Sequence, residues 1–309
     1  MKNIYRTISS LLLTIGAFAL TGCRGCRITY LMQSEGEMFT QLTKITESPD
    51  AICPFGGNNG GPLVFAYQAN GIGQCNIYKK NTPLSNSMTQ MTSVNSALYP
   101  TYNEVTDNIA FIMNDDIYSM SASKGKALTQ ITSTNNCRES HPCFSSDGQY
   151  IVYDRIMANA GDYNKTMSEI WIKNLQTGEN SLIGNGWSPS FSPDAKKIVY
   201  CKVKNNESAI WVMDIDGDNQ TKITDNNTIS SAQRPRFSPD GNYIVFDASD
   251  KKDGNMDLYV ISVDGGNLTR LTTNKSSDTQ PYWSTDGYIY FVSDRGGNAG
   301  DYNIWRFKY

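Results

Sequence analysis

Histidine is almost missing from this chain: 309 residues contain one, His141. A Ser-His-Asp hydrolase would have to use it, and no Gly-x-Ser-x-Gly elbow offers the serine. A metal centre built from clustered histidines is excluded by the same count. Basic charge is also low, with 27 Lys and Arg against 30 Asp and Glu for a net of −3. That argues against nucleic acid, whose binding is built on basic surface. Beyond the stretch Ile8–Leu20 no apolar run approaches the roughly 18 residues of a membrane span. No Cys-x-x-Cys motif has a second one to pair with, so a zinc site is disfavoured. Past the N-terminus no segment carries the 3.6-residue period of an amphipathic helix.

What the chain does have is a recurrent proline. Pro54, Pro100, Pro142, Pro189, Pro235 and Pro281 are separated by 46, 42, 47, 46 and 46 residues. A period in this range marks an array of supersecondary units. The fifth copy reads most clearly. Gln233–Phe237 reads as a short strand with its proline at the first residue, where a missing N–H costs no ladder bond. Ser238-Pro239-Asp240-Gly241 is a tight turn. Tyr243–Phe246 is a second strand, apolar at consecutive positions and therefore buried on both faces. Asp257–Ile261 is a third, the hairpin signal Asp264-Gly265-Gly266 follows, and Leu268–Thr272 is the outermost strand.

The other copies keep this frame. The aromatic closing the second strand lies 11 residues after the proline in Phe65, Phe111, Tyr153, Tyr200 and Phe246, and 10 after it in Phe291. The third strand carries Ile77-Tyr78, Ile117-Tyr118, Ile170-Trp171, Ile210-Trp211, Leu258-Tyr259 and Ile304-Trp305. The sixth copy stops after its third strand, while an orphan fourth strand, Leu42-Thr43-Lys44-Ile45-Thr46, precedes the first copy. It repeats Leu128-Thr129-Gln130-Ile131-Thr132 and Leu268-Thr269-Arg270-Leu271-Thr272 closely enough to complete the sixth unit. The expectation is an all-β, six-bladed propeller of four-stranded antiparallel blades, its ring closed by the N-terminal strand.

The strings FSPDGNYIVF at 237–246, FVSDRGGNAGDYNIW at 291–305 and DIDGDNQTKIT at 214–224 resemble TolB-type, WD-like propeller repeats. They are similar also to the propeller domain of prolyl oligopeptidases and dipeptidyl peptidases. The resemblance covers residues 38–309. It implies a periplasmic scaffold that contacts envelope lipoproteins and proteins of the Tol–Pal system. Two departures stand out: no separate α/β domain precedes the propeller, and the chain itself reads as lipidated. Peptidases with this propeller carry their active site on a separate α/β domain, which is not expected here.

Residues 1–22 read as a targeting segment. Lys2 and Arg6 form its basic start, Ile8–Leu20 its apolar stretch, and small residues precede Cys23. Leu20-Thr21-Gly22-Cys23 resembles the bacterial lipobox, in which the cysteine is lipidated and becomes the mature N-terminus. Several acyl chains on one cysteine give stable anchoring. Arg24, where inner-membrane retention would want aspartate, and the lack of an acidic run point to an outer-membrane lipoprotein facing the periplasm. Residues 23–37 would be its tether and 38–309 its propeller. Without Lys2 and Arg6 the 27 basic residues fall to 25 against 30 acidic, a net of −5 for the mature chain.

The remaining signals are read beside their structural alternatives. His141 precedes a blade proline, and that position accounts for it. Cys53–Cys75 and Cys137–Cys143 are candidate disulfides that an oxidising compartment permits, or buried free thiols. Asp214-x-Asp216-x-Asp218 is a hairpin turn rather than a calcium loop, so no metal or other cofactor is expected. The residues before the six prolines, Cys53, Tyr99, His141, Ser188, Arg234 and Gln280, should ring one mouth of the channel. They are mixed and differ in every blade, as a surface that reads protein would. The longest loop, between Arg155 and Glu169, is a candidate lip. The sequence therefore points to a lipid-anchored, non-enzymatic protein-binding propeller whose partners are envelope proteins or lipoproteins. The alternative is a channel-based enzyme or binder acting on a peptide or glycan.

Overall fold

The computed structural model describes residues 39–47, 50–68, 74–125, 127–157, 168–204, 207–225, 227–252 and 254–309. The targeting segment, Cys23, the tether and the body of the 155–169 loop lie outside them. The described residues form six four-stranded antiparallel sheets. Their one helical element is the 3-10 turn Asn58–Gly60. Blade five has the strands Ile229–Phe237, Tyr243–Asp250, Met256–Ser262 and Thr269–Arg270. In blade six, Asp278–Trp283, Tyr288–Ser293 and Asn303–Lys308 are completed by Thr40–Lys44 from the N-terminal end.

The two aromatic signatures turn out to face one another. Phe65, Phe111, Tyr153, Tyr200, Phe246 and Phe291 stand in register with Tyr78, Tyr118, Trp171, Trp211, Tyr259 and Trp305. Such cross-strand aromatic pairs are the unit by which a sheet is stabilised. Six apolar clusters follow, one at each interface between neighbouring blades. The closing interfaces bury Phe39 and Leu42 against blades five and six, and Ile45 against blades six and one. Phe39 stacks on Phe307 with ring centroids 4.2 Å apart.

The fourth strands are shorter than the sequence suggests, two residues in blades one, two, four and five. The repeated threonine explains it. Thr92, Thr132, Thr224 and Thr272 accept the backbone N–H of Ile77, Ile117, Ile210 and Leu258 on their side-chain oxygens. A hydroxyl thus takes over where the backbone ladder stops. Thr46 does the same for Ile304, 258 residues away in sequence. The closing strand is held by the same bond as its counterparts.

The proline is placed differently from the sequence expectation. In blade five it is the seventh residue of a nine-residue strand, not a residue near the start. It is tolerated because all six blades carry a β-bulge there. Ser140 pairs with Asp154 and Cys143 with Val152, so His141 and Pro142 together oppose the single residue Tyr153. The same two-against-one step recurs at Cys53-Pro54, Tyr99-Pro100, Ser188-Pro189, Arg234-Pro235 and Gln280-Pro281. A bulged residue has no ladder partner, so the missing proline N–H costs nothing.

Candidate functional site

The bulge fixes the geometry of the channel. Cys53, Tyr99, His141, Ser188, Arg234 and Gln280 all adopt left-handed backbone, with φ of 55°, 50°, 48°, 51°, 49° and 54°. Non-glycine residues seldom do so. Six in a ring require external support for each bulged amide, and the neighbouring blade gives it in four cases. The Ser188 N–H donates to Asp154 Oδ1 at 2.9 Å, and the Gln280 N–H to Asp247 Oδ1 at 3.2 Å. The Cys53 N–H donates to Gln280 Oε1 at 2.6 Å, and the Cys53 thiol bonds the Tyr99 backbone.

The side chains of this ring are engaged as well. Arg234 donates through Nε and Nη2 to both oxygens of Asp247, at 2.9 and 2.5 Å. Asp247 is fully buried. Burial works against the charged guanidinium, but Asp247 outweighs it and holds the Arg234 pKa above its usual value. His141 Nδ1 lies 2.8 Å from Asp154 Oδ1 and its ring packs on Tyr99, centroids 4.3 Å apart. Burial pushes the Cys53 thiol up to about 12, although Arg234 and the Tyr99 backbone pull it down. A thiol in that state is a poor nucleophile. The structure brings five of the six predicted residues around a narrow throat of about 40 Å³. Ser188 is buried and does not line it.

All five described cysteines are free thiols, and neither candidate disulfide is formed. Cys137 and Cys143 sit in one extended strand, Cys137–Phe144. Six residues at about 3.3 Å each hold them roughly 20 Å apart, far beyond the span of a disulfide. Cys53 and Cys75 are separated by the intervening strand Leu63–Gln68. The Asp214–Asp218 segment is a closed turn: the Gly217 N–H donates to the Asp214 carbonyl, and Asp214 pairs with Lys197 at 2.7 Å. Arg155 and Glu169 clamp the base of the long loop at 3.0 Å, with Arg155 over the Trp171 ring.

A second, wider space opens on the same axis at the end of the molecule formed by the first-to-second-strand turns. Its volume is about 370 Å³, and all six blades line it. Phe55, Cys143, Ser190, Arg236 and Tyr282, each following its blade proline, form the floor. Tyr102, Phe144, Phe191, Phe237 and Trp283, one position further on, surround it. The turns at its rim are internally braced. Ser145, Ser192 and Ser238 donate to Asp147, Asp194 and Asp240 at 2.6, 2.6 and 2.5 Å, and these bonds hold the three carboxyls below their ordinary range. Asn58 Oδ1 accepts from Tyr282, Ser284 and the Thr285 N–H. Asn103 donates to the carbonyls of Ser145 and Ser146.

This bowl and the acceptors Asp154 and Asp247 did not emerge from sequence reasoning. A signal for the aspartates was present: they follow the second-strand aromatic, where other blades have Ala66, Ile112, Cys201 and Val292. The bowl had none, because proline-plus-one residues differ in every blade.

Comparison with known proteins agrees with this architecture. The pattern of the TolB beta propeller domain matches residues 141–251 and 187–306, together more than half of the chain. An uncharacterized protein of Agrobacterium fabrum is 28% identical over 158 residues, 51% of this chain and 51% of that protein. The chain thus spans about half the length of this curated relative. The structure of TolB from Acinetobacter baumannii superposes with a TM-score of 0.65 at 17% identity, covering 81% of this chain and 64% of that one. An oligogalacturonate lyase from Vibrio parahaemolyticus superposes with a TM-score of 0.59 at 15% identity, covering 87% and 93%. At such identities the likeness extends to the fold alone. Six bulged blades, a ring closed by the N-terminal strand and a sequence pattern matched over more than half its length place this chain in the TolB beta propeller domain family.

Proposed function

We propose that this protein is a lipid-anchored, non-enzymatic binding module of the bacterial cell envelope, and that it captures a protein partner in the bowl. The observation that carries the reading is the bowl itself: about 370 Å³, open, lined by aromatic residues from all six blades. Concave, largely apolar sites with few polar groups are the usual form of a binding site. Val105 on its rim is 76% exposed, and Trp283 continues outward into Tyr243 and Tyr309. Exposed aromatic and apolar groups around a cavity mark an interaction surface.

Anchoring would proceed through Cys23, with the propeller held in the periplasm at the outer membrane and the partner an envelope protein or lipoprotein. Family membership and the lipobox-like Leu20–Cys23 support that location.

Cross-linked pull-down of the lipidated protein from its native envelope tests the reading. The double variant Val105→Asp with Trp283→Ala should lose about tenfold or more of the captured partner, as expected for removal of an aromatic interface anchor. Thr89→Ala with Lys222→Ala, on the exposed outer strands, should leave capture unchanged. Equal loss from both pairs would reject the bowl as the working surface. Turnover of a peptide or glycan by the purified protein would favour the enzymatic alternative.

A further inference from the structure

The described part of the chain contains seven arginines, and six of them have a carboxylate partner. Arg138, Arg155, Arg234, Arg270, Arg295 and Arg306 pair with Asp115, Glu169, Asp247, Asp257, Asp278 and Asp286. Arg236 has none among the described residues. Its guanidinium makes one hydrogen bond, from Nη1 to the Pro235 carbonyl at 3.1 Å. Four of its five N–H donors therefore meet no acceptor among the described residues. The side chain is only partly buried and lines both the throat and the bowl, so it stands on the channel axis with its donors open to whatever enters.

The surroundings narrow the chemistry of the occupant. Tyr282, from the neighbouring blade, stands beside Arg236 on the bowl floor, and Phe55 of the blade beyond packs on Tyr282 with ring centroids 4.4 Å apart. The polar amides nearby are already committed, Asn58 Oδ1 to three donors and Asn103 to the Ser145–Ser146 backbone and to Thr106. The floor, formed by Phe55, Cys143, Ser190, Arg236 and Tyr282, offers few of the donors and acceptors that the hydroxyls of a sugar chain need, while Glu104, Ser146 and Thr285 belong to the turns of the rim. An apolar or aromatic segment bearing a single carboxylate fits what is there: ring faces for its side chain, and one planar fork that binds a carboxylate bidentately.

We propose that Arg236 anchors a carboxylate of the partner polypeptide, with the adjoining apolar side chain packed against Phe55 and Tyr282. The inference rests on the bowl being the capture surface and specifies what it recognises. The guanidinium at the bowl floor, unlike that in the throat, forms no ion pair among the described residues, although the carboxylate of Glu104 also lines the bowl, and it is the group there to which an incoming anion is complementary.

The full chain, its Arg236→Gln and Arg236→Lys variants, and its Trp283→Ala variant are to be titrated with N-acetyl-Leu-Phe as the free acid, the same dipeptide as its terminal amide, and digalacturonate. Calorimetry or ligand-observed NMR gives the affinities. The acid should bind about tenfold more tightly than the amide, the worth of one charge-assisted contact. Arg236→Gln should bring the acid down to the amide, and Arg236→Lys should keep part of the preference. Equal binding of acid and amide, or a preference that survives Arg236→Gln, would overturn the proposal. If both were also weakened in Trp283→Ala, the bowl would stand as the capture surface without this anchor. Stronger binding of digalacturonate than of the dipeptide acid, or binding of neither dipeptide, would likewise overturn it.

Discussion

Arg234 and Arg236 stand two residues apart on one strand, and the molecule treats them in opposite ways. Arg234 lies in the throat, forked onto a fully buried aspartate that also holds the next blade's bulged amide. Arg236 faces the bowl with one bond to its own backbone neighbour. The contrast extends to the whole of each region. In the throat, variation among Cys53, Tyr99, His141, Ser188, Arg234 and Gln280 is in large part a set of blade-to-blade bonds. In the bowl, many polar groups are spent on bracing turns, and what is left is aromatic surface with one cation, Arg236, and one anion, Glu104, which form no ion pair with each other. A ring of dissimilar residues on a propeller axis is therefore not in itself a recognition surface. What separates the two regions is whether their charges are already satisfied.

The largest expected effect tests what both regions depend on, closure of the ring. Deleting residues 39–46 removes Phe39, Leu42 and Ile45 from two interblade clusters, the Thr46 bond to Ile304, and the cover over the Asn303–Lys308 edge. A loss of at least about 5 kcal/mol, or outright aggregation, should follow from an exposed strand edge and a lost seam. Denaturant unfolding and light scattering check this, and a parental melting curve would contradict it.

A buried carboxyl with no basic partner among the described residues sharpens the comparison from another side. Glu139 lies on the same strand as His141 and is 2% exposed, held by the hydroxyls of Thr132 and Thr134. Burial pushes its pKa up to about 7, against the downward pull of Thr132. Between the ordinary carboxyl pKa and about 7, the unfolded chain has released this proton while the folded chain keeps it. Glu139 therefore makes stability fall as pH rises through that window. Replacing it by Gln should reduce the loss between pH 5 and pH 8 by about 1–3 kcal/mol, read from urea unfolding at both values. An unchanged pH slope would show that Glu139 is ionised in the folded protein.

The fold was legible in the sequence because three independent signals share one period: the proline, the second-strand aromatic and the third-strand aromatic. Their registry across each blade is the reason they recur together. The threonine of the closing strand was legible because it performs one bond in five blades. The position of the proline was misread, since a bulge leaves no mark in sequence beyond the proline and needs a partner strand to define it. The disulfides were open in sequence and are absent in structure for a matter of length: Cys137 and Cys143 look close along the chain but lie along an extended strand. The candidate ring came together around the throat, but the carboxylates that engage it come from neighbouring strands, Asp154 and Asp247, whose pairing depends on register. The open guanidinium of Arg236 could not be separated from its neighbour Arg234 in a string reading Gln-Arg-Pro-Arg-Phe.

The two arginines provide the most direct measurement of the account. Arg234→Gln and Arg236→Gln differ by two positions and are chemically the same change. Urea unfolding of both, side by side, should show a loss of about 3–5 kcal/mol for Arg234→Gln, because it strands the buried Asp247 carboxylate. Arg236→Gln should stay within about 0.5 kcal/mol of the parent, as for a surface residue without a structural partner. Comparable losses from both, or a larger loss at Arg236, would contradict the division of this propeller into a self-satisfied throat and an open bowl.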